Sequence, residues 1–325
     1  MDTTTDAKVF KHLMVLNLDV SIWSARKKLS PSDFGGARLP PEELASLGSK
    51  KICNPEDLRV FGTLKSRAVN MLDRIGIRFL GGWGIPESCA DEVIKELKST
   101  HDEFMKAKQK FLANYDQSIE AWINHHPEWK SIIKNSVVDA GYVSSRMGFK
   151  WQLFQIVPPK GKFIHDGLKD EVSKLGNTLY GEVAKTAEDT WRKCYSGKDK
   201  VSHKAISPLR SIYEKLNGLS FVEPCAAPIA SLLRTAFDHI PRKGFIEGAD
   251  LLILQGVLAL LRDPESLVDY GKSIIKGKTP EAILQGLIQN DSAICPIPAD
   301  VIDLSEAVSI SNLYQQQPID SLGLW

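Results

Sequence analysis

The chain lacks any long apolar run. Its most hydrophobic stretch is Leu251–Leu261, LLILQGVLALL, closed off by Asp250 and Arg262. Eleven residues rise about 16 Å as a helix, far short of a ~30 Å bilayer core, so the stretch reads as a buried helix and not a span. A secretory leader is not expected either. Met1–Lys8 is polar and carries two acids, where a leader needs a basic start and an apolar segment. Cysteine is sparse. Cys53, Cys89, Cys194, Cys225 and Cys295 are odd in number, scattered and never spaced as CxxC. That pattern argues against a disulfide framework and against a zinc module. The expectation is a cytoplasmic chain with reduced thiols and no cofactor or metal.

Basic residues are absent after Lys278. Residues 1–278 therefore carry a net charge of +7, and residues 279–325 carry −6 from six acids. The near-neutral total of +1 hides this division. The chain reads as one mildly basic helical body, 1–278, followed by an acidic and partly extended tail, 279–325. At 325 residues, 43% hydrophobic and 25% charged, it has the length and composition of a globular protein with a sizeable core.

Glycine and proline are missing from residue 87 to residue 122. Across that stretch Ile94, Leu97, His101, Phe104, Lys108, Phe111, Tyr115, Ser118 and Trp122 recur in steps of three and four, the heptad spacing of a coiled coil. A continuous helix there would be roughly 50 Å long, well beyond the usual globular helix, and so would project. A second long helix is expected over 164–195, with Leu168, Val172, Leu175, Leu179, Glu182, Thr186 and Asp189 in heptad steps. The two are expected to pair as an arm. Their seam is weak because His101, Lys108, Ser118 and Glu182 interrupt it.

Elsewhere Leu16, Leu18, Val20 and Ile22 alternate with polar residues, the period of a half-buried strand. Asn54-Pro55-Glu56-Asp57 reads as a helix start, with an N-cap, proline in the first turn and acids beside it. A helix is expected over 128–147, with Trp129, Ile132, Ile133, Ser136, Ala140 and Val143 on one face. Further helices fall near 203–216, 227–239, 248–262 and 265–276, and one more at 280–290. The fold expected is mostly α, a long coiled-coil-like arm on a helical body, with a small β element at its base from strands near 15–23, 77–80 and 149–157.

Chemistry is harder to find. Gly271-Lys272-Ser273 and Gly277-Lys278-Thr279 match only the end of a phosphate-binding loop. Ser266 and Lys272 stand where the first glycine is required, and no hydrophobic strand precedes either. They read as basic helix ends. His125-His126 reads as a polar turn, since adjacent helical histidines diverge by about 100° and no ligand spacing supports a metal. Cys225 sits at a helix start, where a thiolate could be stabilised, yet no histidine partner is identifiable. Lys106, Lys108 and Lys110, and then Arg192, Lys193, Lys198, Lys200 and Lys204, are basic clusters that could follow a nucleic-acid backbone or simply face solvent. Gly81, Gly82, Trp83 and Gly84 form either a turn with Trp83 packed on the core or a loop that lets a ligand approach the backbone. The tail carries Leu322, Leu324 and Trp325 as candidate anchors for a protein partner or second copy. The alternative is a tail packed on its own body.

Three segments carry a resemblance: Val15–Trp23 running into Ser24-Ala25-Arg26-Lys27-Lys28-Leu29, Arg78–Pro86, and Gly148-Phe149 through Phe154-Gln155-Ile156. Together they resemble a bacterial and phage family catalogued as domain of unknown function 3150. That family has no established catalytic residues to carry over. Its members tend to be encoded on mobile elements near MoxR-type AAA+ ATPases and von Willebrand A-domain proteins. The resemblance implies a partner in an ATPase-driven complex, and the long heptad arm, the acidic tail and the lack of a recognisable catalytic set lead to the expectation of a non-enzymatic helical scaffold or adaptor within it. The residues themselves leave open a nucleic-acid-binding protein of a mobile element and an enzyme of unrecognised type.

Overall fold

The computed structural model describes residues 9–35, 40–41, 43–157 and 166–291. The chain is mostly helical and is organised on a small antiparallel sheet. Strand β1 is Leu13–Ser21, and a basic two-stranded ribbon follows it, β2 (Arg26–Lys28) with β3 (Ser49–Lys51). The hairpin β4 (Ile77–Phe79) and β5 (Gly82–Pro86) and the strand β6 (Gly148–Gln155) complete the main sheet in the order β4-β5-β1-β6. The three expected strands are present.

The alternation in β1 divides two cores. Leu16 and Val20, with Met14 and Leu18 partly covered, face one side, where they meet Trp83, Ile85 and Phe149. Leu13 and Val15 face the other with Ile77 and Phe79. Asn17, Asp19 and Ser21 on that second face are exposed. The start of β1 is thus buried on both sides and its end on one.

The first core is closed by helices α1 (Arg59–Ile75) and α2 (Ala90–Ala113). Helix α1 begins as its sequence suggests: Asn54 caps the preceding turn, its side chain accepting from the Glu56 amide, with Pro55 in the first turn. Helix α2 breaks at Asn114 and resumes as α3 (Tyr115–His125). The expected helix over 128–147 is split into α4 (Lys130–Lys134) and α5 (Ala140–Ser145), because Asp139 starts a new helix by accepting from the Tyr142 amide at 2.9 Å. Trp129 is exposed rather than part of an apolar face.

The second core holds α6 (Asp166–Thr190), α7 (Ser207–Gly218), α8 (Ala226–Asp238) and α9 (Gly248–Leu261). The apolar run 251–261 lies inside α9 and is largely buried as expected, with Leu252 left exposed. Helices α10 (Pro264–Ile275) and α11 (Pro280–Asp291) follow, and α11 buries Ile283 and Leu284 in the same core. A two-residue pair, β7 (Lys200–Val201) with β8 (Ile246–Glu247), was not anticipated. Among the described residues no helix is long and apolar enough to cross a membrane.

The projecting arm is a correction. Helices α2 and α6 do not share a seam, because each buries its stripe in a different core. In α2 the buried positions are Val93, Leu97, Thr100, Phe104 and Phe111, packed toward α1 and the sheet. The polar interruptions that looked like seam defects have partners inside the fold. His101 lies edge-on to Phe149 and Trp151, Lys108 Nζ donates to the Ser144 and Met147 carbonyls at 2.8 and 2.7 Å, and Ser118 donates to Asp57. In α6 the buried set Val172, Leu175, Leu179, Val183 and Ala187 drifts off the heptad after Leu179, as an ordinary 3.6-residue period does.

The β4–β5 hairpin turns on two residues, Leu80 at φ +48° and Gly81 at φ +76°. Both central residues left-handed is the type I′ geometry, which favours Asn-Gly and penalises a leucine. Leu80 is half-exposed and gains little packing in return. Leu80→Asn should raise the thermal midpoint by about 2–4 °C, read by calorimetry. An unchanged or lower midpoint would show that the turn is not strained.

Candidate functional site

The candidate glycine segment proves to be packed structure. Gly81 is in the turn, and Gly82 and Gly84 are in β5. A Cβ on Gly82 would stand 2.4 Å from the Leu16 carbonyl oxygen, and one on Gly84 would press on the Leu13 side chain at 3.0 Å. These glycines let β5 lie tightly against β1. Trp83 is buried, and its indole Nε1 donates to Asp73 Oδ1 at 2.7 Å while the Arg78 guanidinium lies 3.9 Å from the ring centroid.

Around Trp83 a polar network joins five elements. Arg78 pairs with Asp73 at 2.9 Å, and its backbone N–H donates to Glu182 Oε1. Lys215, only 7% exposed, donates to Glu182 Oε2 at 2.5 Å and to the Asp73 carbonyl at 2.8 Å. The two carboxylates are thereby neutralised, and α1, β4 and β5 are tied to α6 and α7. Removing the cation alone leaves a half-buried carboxylate uncompensated, which is costly, whereas removing both charges is tolerated better. Lys215→Met should lower stability by about 2–4 kcal/mol in chemical denaturation, and Lys215→Met with Glu182→Leu should lose less than the single change. Additive losses would contradict the pairing.

The other candidates disperse. Leu322, Leu324 and Trp325 lie outside the described residues. Gly271 is inside α10, where a Cβ would meet the Cys225 Cβ at 2.5 Å, and Gly277 is the left-handed residue after that helix, at φ +103°. Neither segment follows a strand. The ring of His126 lies 4.4 Å from that of Trp122, and among the described residues no group of three potential ligands could hold a metal. Cys225 is buried, and burial pushes its thiol pKa up, the reverse of activation. Lys108 is consumed inside the fold, and Arg192 is paired with Glu188 at 2.6 Å.

A cleft of about 620 Å³ opens where α2 breaks at Asn114, lined by Asn54, Asp57, Ser118, Trp122 and His125. At its edge Ser118 donates to Asp57, and Cys53 Sγ lies 3.7 Å from the same carboxylate. Burial raises the Cys53 thiol to about 11, so it stays protonated at neutral pH. The trio ties α3 to the start of α1 and presents no activated nucleophile.

The feature that sequence reasoning missed is the ribbon β2–β3. Five of its six residues are cationic: Arg26, Lys27 and Lys28 on one strand, Lys50 and Lys51 on the other. The register sets Arg26 opposite Lys51 and Lys27 opposite Lys50. Like charges directly opposed destabilise a strand pair. Among the described residues only Lys50 has an acidic partner, Asp33 at 2.5 Å, and that partner's pKa is held down to about 2, chiefly by this contact. Arg26 lines two clefts. One is about 650 Å³, reaches α5 and includes Arg146, and the other, about 250 Å³, includes Lys51 and Arg59. The signal was present as two short basic runs, each unremarkable alone and brought together by pairing across 21 intervening residues.

Fold and surface together define a mostly helical protein built on a four-stranded antiparallel sheet, with a cationic ribbon extending from its central strand. The chain belongs to the DUF3150 family: that family's model, described as a protein of unknown function, matches residues 10–263, which include the main sheet, the ribbon and most of both cores. No curated protein and no solved structure matches the chain.

Proposed function

We propose that this protein binds nucleic acid, with the ribbon β2–β3 lying along the phosphate backbone. The observation that carries this reading is the register, which sets Arg26 against Lys51 and Lys27 against Lys50 and leaves Arg26, Lys27, Lys28 and Lys51 without an acidic partner among the described residues. A packed fold keeps such repulsion where a counter-charge arrives from outside. Closely spaced phosphates supply it, and releasing their condensed counterions adds a large favourable term. On one flank Arg146 extends the track, and on the other stands Arg59, paired with Glu56 at 3.2 Å. Lysines on a short ribbon also guard its edges against pairing with other chains. Edge protection alone does not call for cations in opposed pairs.

The family resemblance supports a wider setting, an adaptor of a mobile-element or phage-related system beside a MoxR-type AAA+ ATPase and a von Willebrand A-domain protein. In that setting the ribbon holds the nucleic acid, and the acidic tail with Leu322, Leu324 and Trp325 docks the protein partner. The two surfaces should then separate: a chain truncated after Asp291 keeps its oligonucleotide affinity and loses capture of the ATPase.

Fluorescence anisotropy with labelled oligonucleotides across a salt series tests the binding. Affinity should fall steeply with salt, and Lys27→Ala or Lys28→Ala should each flatten the log–log slope by about 1. Lys27→Glu with Lys51→Glu should abolish binding while leaving the circular dichroism spectrum unchanged. Absence of binding at low salt rejects the reading, as does equal or tighter binding of polyglutamate, which would assign the ribbon to an acidic protein.

A further inference from the structure

The cleft of about 650 Å³ beside the ribbon has the size of a small-ligand pocket and an unusual lining. Arg26 and Lys27 of the ribbon line it together with Tyr142 and Arg146 of the α5 region, Ser24 and Ser145. No carboxylate is among the lining residues. Of the acids beside it, Asp139 is spent in capping α5, and Asp19 accepts from the hydroxyl of the lining Ser21 at 3.3 Å. Tyr142 is 44% exposed, although an aromatic ring of that size is ordinarily buried further, and the Arg146 guanidinium lies 5.2 Å from its centroid. An exposed tyrosine paired with an arginine presents a flat, electron-rich face and a cation together. This is the combination on which unpaired bases stack regardless of their identity.

Resting on the nucleic-acid reading above, we propose that this cleft receives an unpaired base of a single strand whose backbone runs along the ribbon, with the base stacked on Tyr142. A duplex cannot make this contact, because its bases are stacked inward and its backbone alone reaches the protein. Single-stranded nucleic acid is therefore the substrate class, and the cleft supplies a contact that does not depend on charge. Arg26 and Lys27 line the cleft and also belong to the ribbon, so backbone and base are engaged at neighbouring points of one strand.

The test compares labelled oligo-dT, oligo-U and a DNA duplex of equal length by anisotropy, with wild type, Tyr142→Ala and Tyr142→Trp, each verified as folded by its melting curve. The single strands should bind more tightly than the duplex. Tyr142→Ala should weaken single-strand binding about 10-fold or more, while duplex affinity and the salt slope stay as they were. Tyr142→Trp should restore the single-strand affinity. Equal binding of strand and duplex, with Tyr142→Ala neutral on both, overturns the cleft and leaves the ribbon reading standing. Loss of duplex and single-strand binding in equal measure on Tyr142→Ala also overturns it, since the residue would then be supporting the ribbon. Failure of every nucleic acid to bind overturns both.

Discussion

The structure depends on the position of strand β1. Leu13 and Val15 are buried on one face of the sheet and Leu16 and Val20 on the other, so this single strand is a wall common to two hydrophobic cores. Helix α2 must lie on one side of it and α6 on the other. The Lys215–Glu182 pair and the Arg78–Asp73 pair then fasten the two sides around the edge of the sheet. Toward its C-terminal end β1 loses cover on one face, and the chain leaves the sheet there. Trp23 plugs the exit, edge-on to Tyr115 at 5.8 Å, and Ala25 turns the chain in a left-handed conformation at φ +52°. The ribbon begins at the next residue.

This attachment explains how an electrostatically strained ribbon persists. An isolated two-stranded hairpin is marginal in water even without opposed like charges. Here the base of the ribbon is held by the buried Ile52, whose amide donates to the Ala25 carbonyl at 2.9 Å. Trp122 Nε1 adds a donor to the Lys51 carbonyl at 3.2 Å. Hydrophobic burial at the base offsets the repulsion along the strands; Lys50 is covered against Asp33, and Arg26, Lys27, Lys28 and Lys51 are exposed. The ribbon is accordingly a paired, anchored element rather than a loop, which favours presenting several charges to phosphates at fixed spacing.

Much of the fold was legible in local patterns. Alternation at Leu16, Leu18 and Val20 marked β1, Asn54-Pro55 marked the entry to α1, and the apolar run 251–261 marked a buried helix. The heptad in 87–122 was real as a helix signal, yet a stripe of apolar residues every third and fourth position looks the same whether it faces a partner helix or a core. Only the tertiary partners of His101, Lys108 and Ser118 distinguish the two. The environment of Trp83 was half legible: its burial followed from the flanking glycines, whereas Asp73, Glu182 and Lys215 reach it from distant parts of the chain. The ribbon was not legible at all, because Arg26-Lys27-Lys28 and Lys50-Lys51 acquire meaning only through a register that no local pattern encodes.

We place the proposed ligand contact at the end of β1, away from the glycine-rich hairpin. Amide hydrogen exchange of the full chain, with and without a saturating single-stranded oligonucleotide, tests that claim most directly. Protection should appear in residues 23–28, 49–52 and 136–146 and leave 80–84 and 192–204 unchanged. Protection confined to the hairpin or to 192–204, with none in the ribbon, would contradict the account.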